Sequence, residues 1–111
     1  MNISTRKNAE ILIIDIEGKL DTQTSDQALV ELTRCLEHRP VSVLISLALL
    51  DFISSAGLRV ILRIAKNVRE NGAELRISGA RGVVKEVLEI SGFDSLLDLC
   101  EDEAQAIKSL Q

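Results

Sequence analysis

The chain has 111 residues, 46 % of them apolar and 27 % charged, with a formal net charge of −4; this is enough for one core and too apolar for a disordered polar chain. Phe52 and Phe93 are its only aromatic residues, so the core must be aliphatic, and the acidic balance argues against direct nucleic-acid binding. No apolar run approaches the length of a membrane span, the first ten residues lack the pattern of a signal peptide, and Cys35 and Cys100 have neither metal-ligand spacing nor disulfide density. A cytoplasmic protein without cofactor, metal or membrane insertion is expected.

In chain order, Ile3 to Lys7 reads as a weak strand, joined by a turn near Asn8 to a β-branched strand from Glu10 to Ile16. So short a link requires antiparallel pairing. Thr24-Ser25-Asp26-Gln27 fits a capping box, in which Thr24 bonds the Gln27 amide and Gln27 reaches back. The helix that follows puts Ala28, Leu29, Leu32, Cys35 and Leu36 on one face, with Cys35 packed as a small hydrophobe, and Pro40 closes it. Val41 to Leu50, apolar except for Ser42 and Ser46, reads as the central strand.

A second helix is expected from about Ala56 to Glu70, with Leu58, Ile61, Leu62, Ala65 and Val68 at helical spacing and Asn71-Gly72 as its stop. Ala73 to Ser78 forms a short strand and Gly79 to Ile90 a third helix, ended by Ser91-Gly92. A brief strand near Leu96 to Leu99 precedes a last helix that begins at Glu101-Asp102-Glu103, where acids suit the positive end of the dipole. The alternation predicts one α/β domain spanning 1–111, a mixed central sheet of about five strands packed with about four helices.

Little in this order carries catalytic chemistry. The single histidine, His38, lies near the end of the first helix, where it complements the dipole. Gly79-Ala80-Arg81-Gly82 lacks the glycine spacing of a dinucleotide turn and reads as a plain strand-to-helix connection. Glu101 and Asp102 read as dipole complements. An enzyme is not expected.

The exception is the strand-to-helix junction at Ser54-Ser55. Two hydroxyls there suit either ordinary N-capping or the holding of an anion at free backbone amides. Beyond them Arg59, Arg63 and Lys66 recur at i, i+4 and i+7, which fits a solvated face or a docking stripe for an acidic partner. Leu49, Phe52 and Ile53 place apolar surface beside the turn, part of it core and part available for contact.

Asp51-Phe52-Ile53-Ser54-Ser55-Ala56-Gly57-Leu58 resembles the signature of STAS domains, and more narrowly that of the small anti-sigma factor antagonists of bacteria. Gly18-Lys19-Leu20-Asp21 is similar to the family's Gly-x-Leu-Asp turn and Ser91-Gly92-Phe93 to its usual ending after the third helix. The likeness covers essentially the whole chain in element order. It implies partner switching: the unmodified protein binds an anti-sigma factor that is also a serine kinase and frees the sigma factor. The kinase phosphorylates a serine of this turn, which ends binding, and a PP2C-type phosphatase restores it. Matching the motif puts the acceptor at Ser55. Ser54 stands where well-studied relatives carry aspartate and is the alternative acceptor, while Ser46 replaces a residue that is acidic or an amide in many relatives. The resemblance also implies partner contacts at Asp21, Thr22, Thr24, Ser54, Ser55, Ala56 and Gly57, to which the helix stripe adds Arg59 and Arg63. A phosphate adds about −1.5 to −2 charges; buried against a partner, it could cost roughly 3 kcal/mol, more than ~100-fold in affinity. The competing expectation is a STAS subunit that scaffolds a transporter or signalling complex without phosphorylation.

Overall fold

The structure, a computed structural model, describes residues 1–111. It opens with β1 (Asn2–Asn8) and β2 (Ile11–Leu20). Ala9 and Glu10 alone join them, with Ala9 left-handed at φ 53°, and the strands pair antiparallel with Asn8 opposite Ile11. Then follow α1 (Ser25–Cys35), β3 (Ser42–Ser46), β4 (Leu50–Ile53) and α2 (Ser55–Glu70). The chain continues through β5 (Glu74–Ser78), α3 (Gly82–Ile90), a 3-10 turn at Phe93–Ser95, β6 (Leu99–Cys100) and α4 (Glu103–Leu110). The sheet runs β1-β2-β3-β5-β6, parallel after the first pair, with β4 beside the end of β2. It is thus a mixed six-stranded sheet with four α-helices, the α/β class the sequence predicts.

The apolar runs of β2 and β3 arise because both faces of the sheet are covered. Leu12, Ile14, Ile16, Val43 and Ile45 join α1, α2 and α3 in the main core. The alternate residues Ile11, Ile13 and Leu44 pack against Ala106 of α4 on the other face. Arg6 ties that second layer down. Its guanidinium meets Asp15 of β2 at 2.7 Å and Glu103 of α4 at 2.6 Å, and hydrogen bonds to both carboxylates raise its already high pKa. Cys35 packs against the main core as expected; burial, aided by the Glu31 carboxylate, pushes its thiol pKa up.

Several boundaries differ from the sequence reading. The first helix ends at Cys35, before Leu36 and well short of Pro40, because residues 36–38 form a turn. β2 continues past Ile16 to Leu20 because β4 pairs with its far end, Leu20 opposite Ile53, after a register shift at Gly18 and Lys19. The single strand expected from Val41 to Leu50 is broken after Ser46. The Leu47 amide makes one last bond to the Ser78 carbonyl at 2.8 Å, and a turn then closes from the Leu50 amide to the Leu47 carbonyl. Leu47 and Leu50 are both fully buried, so the turn is as apolar as the strands around it. The third helix starts at Gly82 and not Gly79, since Gly79 is left-handed at φ 80° and Arg81 is extended. The last strand is Leu99–Cys100, with Phe93–Ser95 coiled before it.

The capping box at Thr24 does not form. The Thr24 hydroxyl accepts from the Asp21 amide at 2.9 Å and donates to the Lys19 carbonyl at 3.0 Å, drawn away from Gln27 by the turn that Asp21 organises. A related arrangement occurs at α4: Asp102 accepts from the Gln105 amide, and Gln105 accepts from the Glu101 amide, each at 2.8 Å.

Candidate functional site

Ser54 and Ser55 lie where β4 passes into α2, close to the ends of the parallel strands. The main chain of Ser54 is extended, with φ −99° and ψ 177°, and its hydroxyl accepts from the Gly57 amide at 3.3 Å. It is therefore the N-cap, which satisfies one of the free amides of the first turn. Ser55 is the first helical residue, exposed, and its hydroxyl enters no side-chain hydrogen bond. The two serines thus divide into a half-buried cap and a free hydroxyl over a helix N-terminus.

The turn is held against the end of β2. The Ser54 amide donates to the Leu20 carbonyl at 3.0 Å. Gly57 is buried at the same place, where a Cβ would stand 2.5 Å from the Leu20 carbonyl oxygen and 2.9 Å from Ile53 Cγ1. Only a residue without a side chain lets α2 start this close to β2.

That approach brings the Asp21 loop beside the serines, as the two sequence motifs require. Asp21 Oδ1 accepts from the amides of Gln23 and Thr24 at 2.9 and 3.1 Å. This turn fixes Thr24, half-buried, and leaves Thr22 exposed next to the junction. On α2, Ala56 is half-buried while Arg59, Arg63 and Lys66 are exposed. Of the apolar residues near the turn, Ile53 belongs to the core, whereas Leu49 and Phe52 remain 51 % and 40 % exposed.

Sequence reasoning missed Arg81. Its Nε donates to the Ala48 carbonyl at 2.8 Å and its Nη2 meets Asp51 Oδ1 at 3.4 Å, so it braces the segment that delivers β4 to the serines. A lone arginine in the Gly79-Ala80-Arg81-Gly82 connection was the available sign, but its partner is distant in sequence. His38 lies in the exposed turn beyond the end of α1, away from this group. The assembled site offers a nucleophile-sized hydroxyl, open amides and a cationic helix face. These suit reception of a phosphoryl group and contact with another protein.

The sequence profile of the STAS domain matches residues 2–106. BtrV of Bordetella bronchiseptica, which carries the name of an anti-sigma factor antagonist, is 34 % identical over 96 % of this chain and 91 % of its own length. The anti-sigma F factor antagonist of Paenibacillus polymyxa is 27 % identical over 100 % of this chain and 96 % of its own. Among solved structures, a Thermotoga maritima protein described as an anti-sigma factor antagonist superposes with a TM-score of 0.90. It is 16 % identical, over 97 % of this chain and 93 % of that one.

Proposed function

The chain belongs to the STAS domain family, and on that premise we propose that it is an anti-sigma factor antagonist switched by phosphorylation of Ser55. Acting in the bacterial cytoplasm as a single STAS domain over residues 1–111, the unmodified form binds an anti-sigma factor that is also a serine kinase and releases the sigma factor. The names of the two sequence relatives support the antagonist role. The observation that carries the choice of acceptor is the difference between the serines: Ser54 is engaged as a cap, and the Ser55 hydroxyl is exposed and unbonded.

In the forward step the Ser55 oxygen attacks the γ-phosphorus of ATP, its proton passes to a base on the kinase, and ADP leaves. A PP2C-type phosphatase reverses the state by hydrolysis, giving back the hydroxyl and inorganic phosphate. The phosphate can remain over the α2 N-terminus without melting the helix, because free amides and the positive dipole end face it. Asp21, Thr22, Thr24, Ala56, Gly57, Arg59 and Arg63 form the surrounding contact surface. A dianion introduced there and desolvated by the partner costs roughly 3 kcal/mol, which is more than ~100-fold in affinity.

Incubation with the kinase and ATP, followed by mapping of the modified residue, tests the assignment. Modification at Ser55 is expected, with Ser54→Ala still modified and Ser55→Ala not. Full phosphorylation of Ser55→Ala would sink it.

A further inference from the structure

Along α2 the cationic face that begins beside the serine turn continues past Arg63, away from the serines. Arg59, Arg63 and Lys66 are all exposed and enter no ion pair, although the chain has 17 acidic residues against 13 Lys and Arg. The ion pairs present are made by Arg6, Arg69, Arg76 and Arg81. An acidic protein thus keeps three cations free along about two turns of one helix.

Beside this stripe an open groove of about 420 Å³ runs between α2 and the segment after the 3-10 turn. Leu62, Ala65, Lys66, Arg69, Glu70 and Leu96 line it. Arg69 holds the far wall in place, donating to the Leu96 carbonyl at 3.2 Å and to Asp98 at 3.4 Å. Leu96 is left 56 % exposed as an apolar lip facing half-buried Leu62. With Arg69 already paired, the groove sets Lys66 and Glu70 beside a small apolar floor, and the free cations Arg59 and Arg63 continue the positive charge along the same helix.

We propose that this groove is a second contact for the anti-sigma factor, occupied by an acidic amphipathic helix lying along α2. An apolar side chain sits between Leu62 and Leu96, and carboxylates spaced at i, i+4 and i+7 meet Arg59, Arg63 and Lys66. Charge complementarity selects the occupant, and the stripe's continuity with the serine turn assigns both contacts to one partner. The inference rests on reading the chain as an anti-sigma factor antagonist. It also adds a second arm to the switch. A phosphate on Ser55 stands at i, i+4 from Arg59, where opposite charges pair on a helix. Phosphorylation therefore withdraws Arg59 from the partner's carboxylates while it repels them.

The test is the dissociation constant of the purified anti-sigma factor for the intact protein at low and physiological salt, with thermal unfolding as a control of folding. Wild type should bind more weakly as salt rises. Arg63→Glu combined with Lys66→Glu should weaken binding about tenfold and flatten the salt dependence. Leu96→Ser should weaken it several-fold and leave the salt dependence intact. Charge-reversed and Leu96→Ser proteins that bind like wild type would overturn the groove contact and leave the Ser55 assignment standing. Wild type that does not bind the anti-sigma factor at all overturns the antagonist reading and this inference with it. Binding of wild type to phosphatidylglycerol vesicles, lost on charge reversal while anti-sigma factor affinity is unchanged, would also overturn it and assign the face to an anionic lipid surface.

Discussion

Gly57 sets the geometry of the serine turn more strictly than either serine. The atom nearest to its missing Cβ is a backbone oxygen, Leu20 O at 2.5 Å, which cannot swing aside as a flexible side chain would. Its carbonyl also receives the Ser54 amide, so relief would have to come from moving the start of α2 or the end of β2. Gly57→Ala should therefore destabilise the protein by about 3 kcal/mol, at the upper end of ordinary overpacking. For a domain of this size that is a fall of roughly 10 °C or more in the unfolding midpoint. Calorimetry or denaturant titration reads it directly, and an unchanged midpoint would mean that α2 can withdraw from β2 at little cost. In the sequence this glycine marks a place where another backbone can come close to the turn; that the backbone is the end of β2, far away in the chain, is visible only in the fold.

At the scale of elements, what was legible in the sequence depended on whether neighbours in the chain are also neighbours in space. The long helix α2 was found to within a residue, because Leu58, Ile61, Ala65 and Val68 bury one face of a single element. The hairpin of β1 and β2 was legible for the same reason. The break between β3 and β4 was not, since Leu47 and Leu50 are buried by other elements and leave no polar gap to mark the turn. The extension of β2 to Leu20 depends on β4, and the motif around Asp21 joins the serine turn only through that pairing. Arg6 belongs with these long-range features: it clamps β1, β2 and α4 through two carboxylates. The cluster is partly exposed and screened by water, so Arg6→Ala should cost only about 1–2 kcal/mol. The loss should be local. Hydrogen exchange is expected to speed up in α4 and β1 while amides in the middle of α2 keep their protection. Uniform acceleration across all elements would show instead that α4 unfolds with the rest of the sheet as one unit.

For the whole molecule the central question is whether the switch acts on the fold or on the surface. The proposed acceptor, Ser55, stands at the first position of α2, outside the core, and neither the cap at Ser54 nor the buried glycine at 57 involves its hydroxyl. A negative group there faces the positive end of a helix of 16 residues, which is neutral or mildly favourable for stability. Ser55→Asp should accordingly unfold within a few degrees of wild type, with NMR shift changes confined to the Asp21 loop, the serine turn and the first turns of α2. Its affinity for the anti-sigma factor should nevertheless fall about tenfold or more, since one carboxylate supplies part of the charge of a phosphate. Stability and binding would then be uncoupled, as a surface switch requires. Shift changes spreading through β3 and β5, or a midpoint lowered as far as that expected for Gly57→Ala, would show that charge at this position works by loosening the α2–β2 contact. In that case the loss of partner binding would be a consequence of a distorted site and not of repulsion at an intact one.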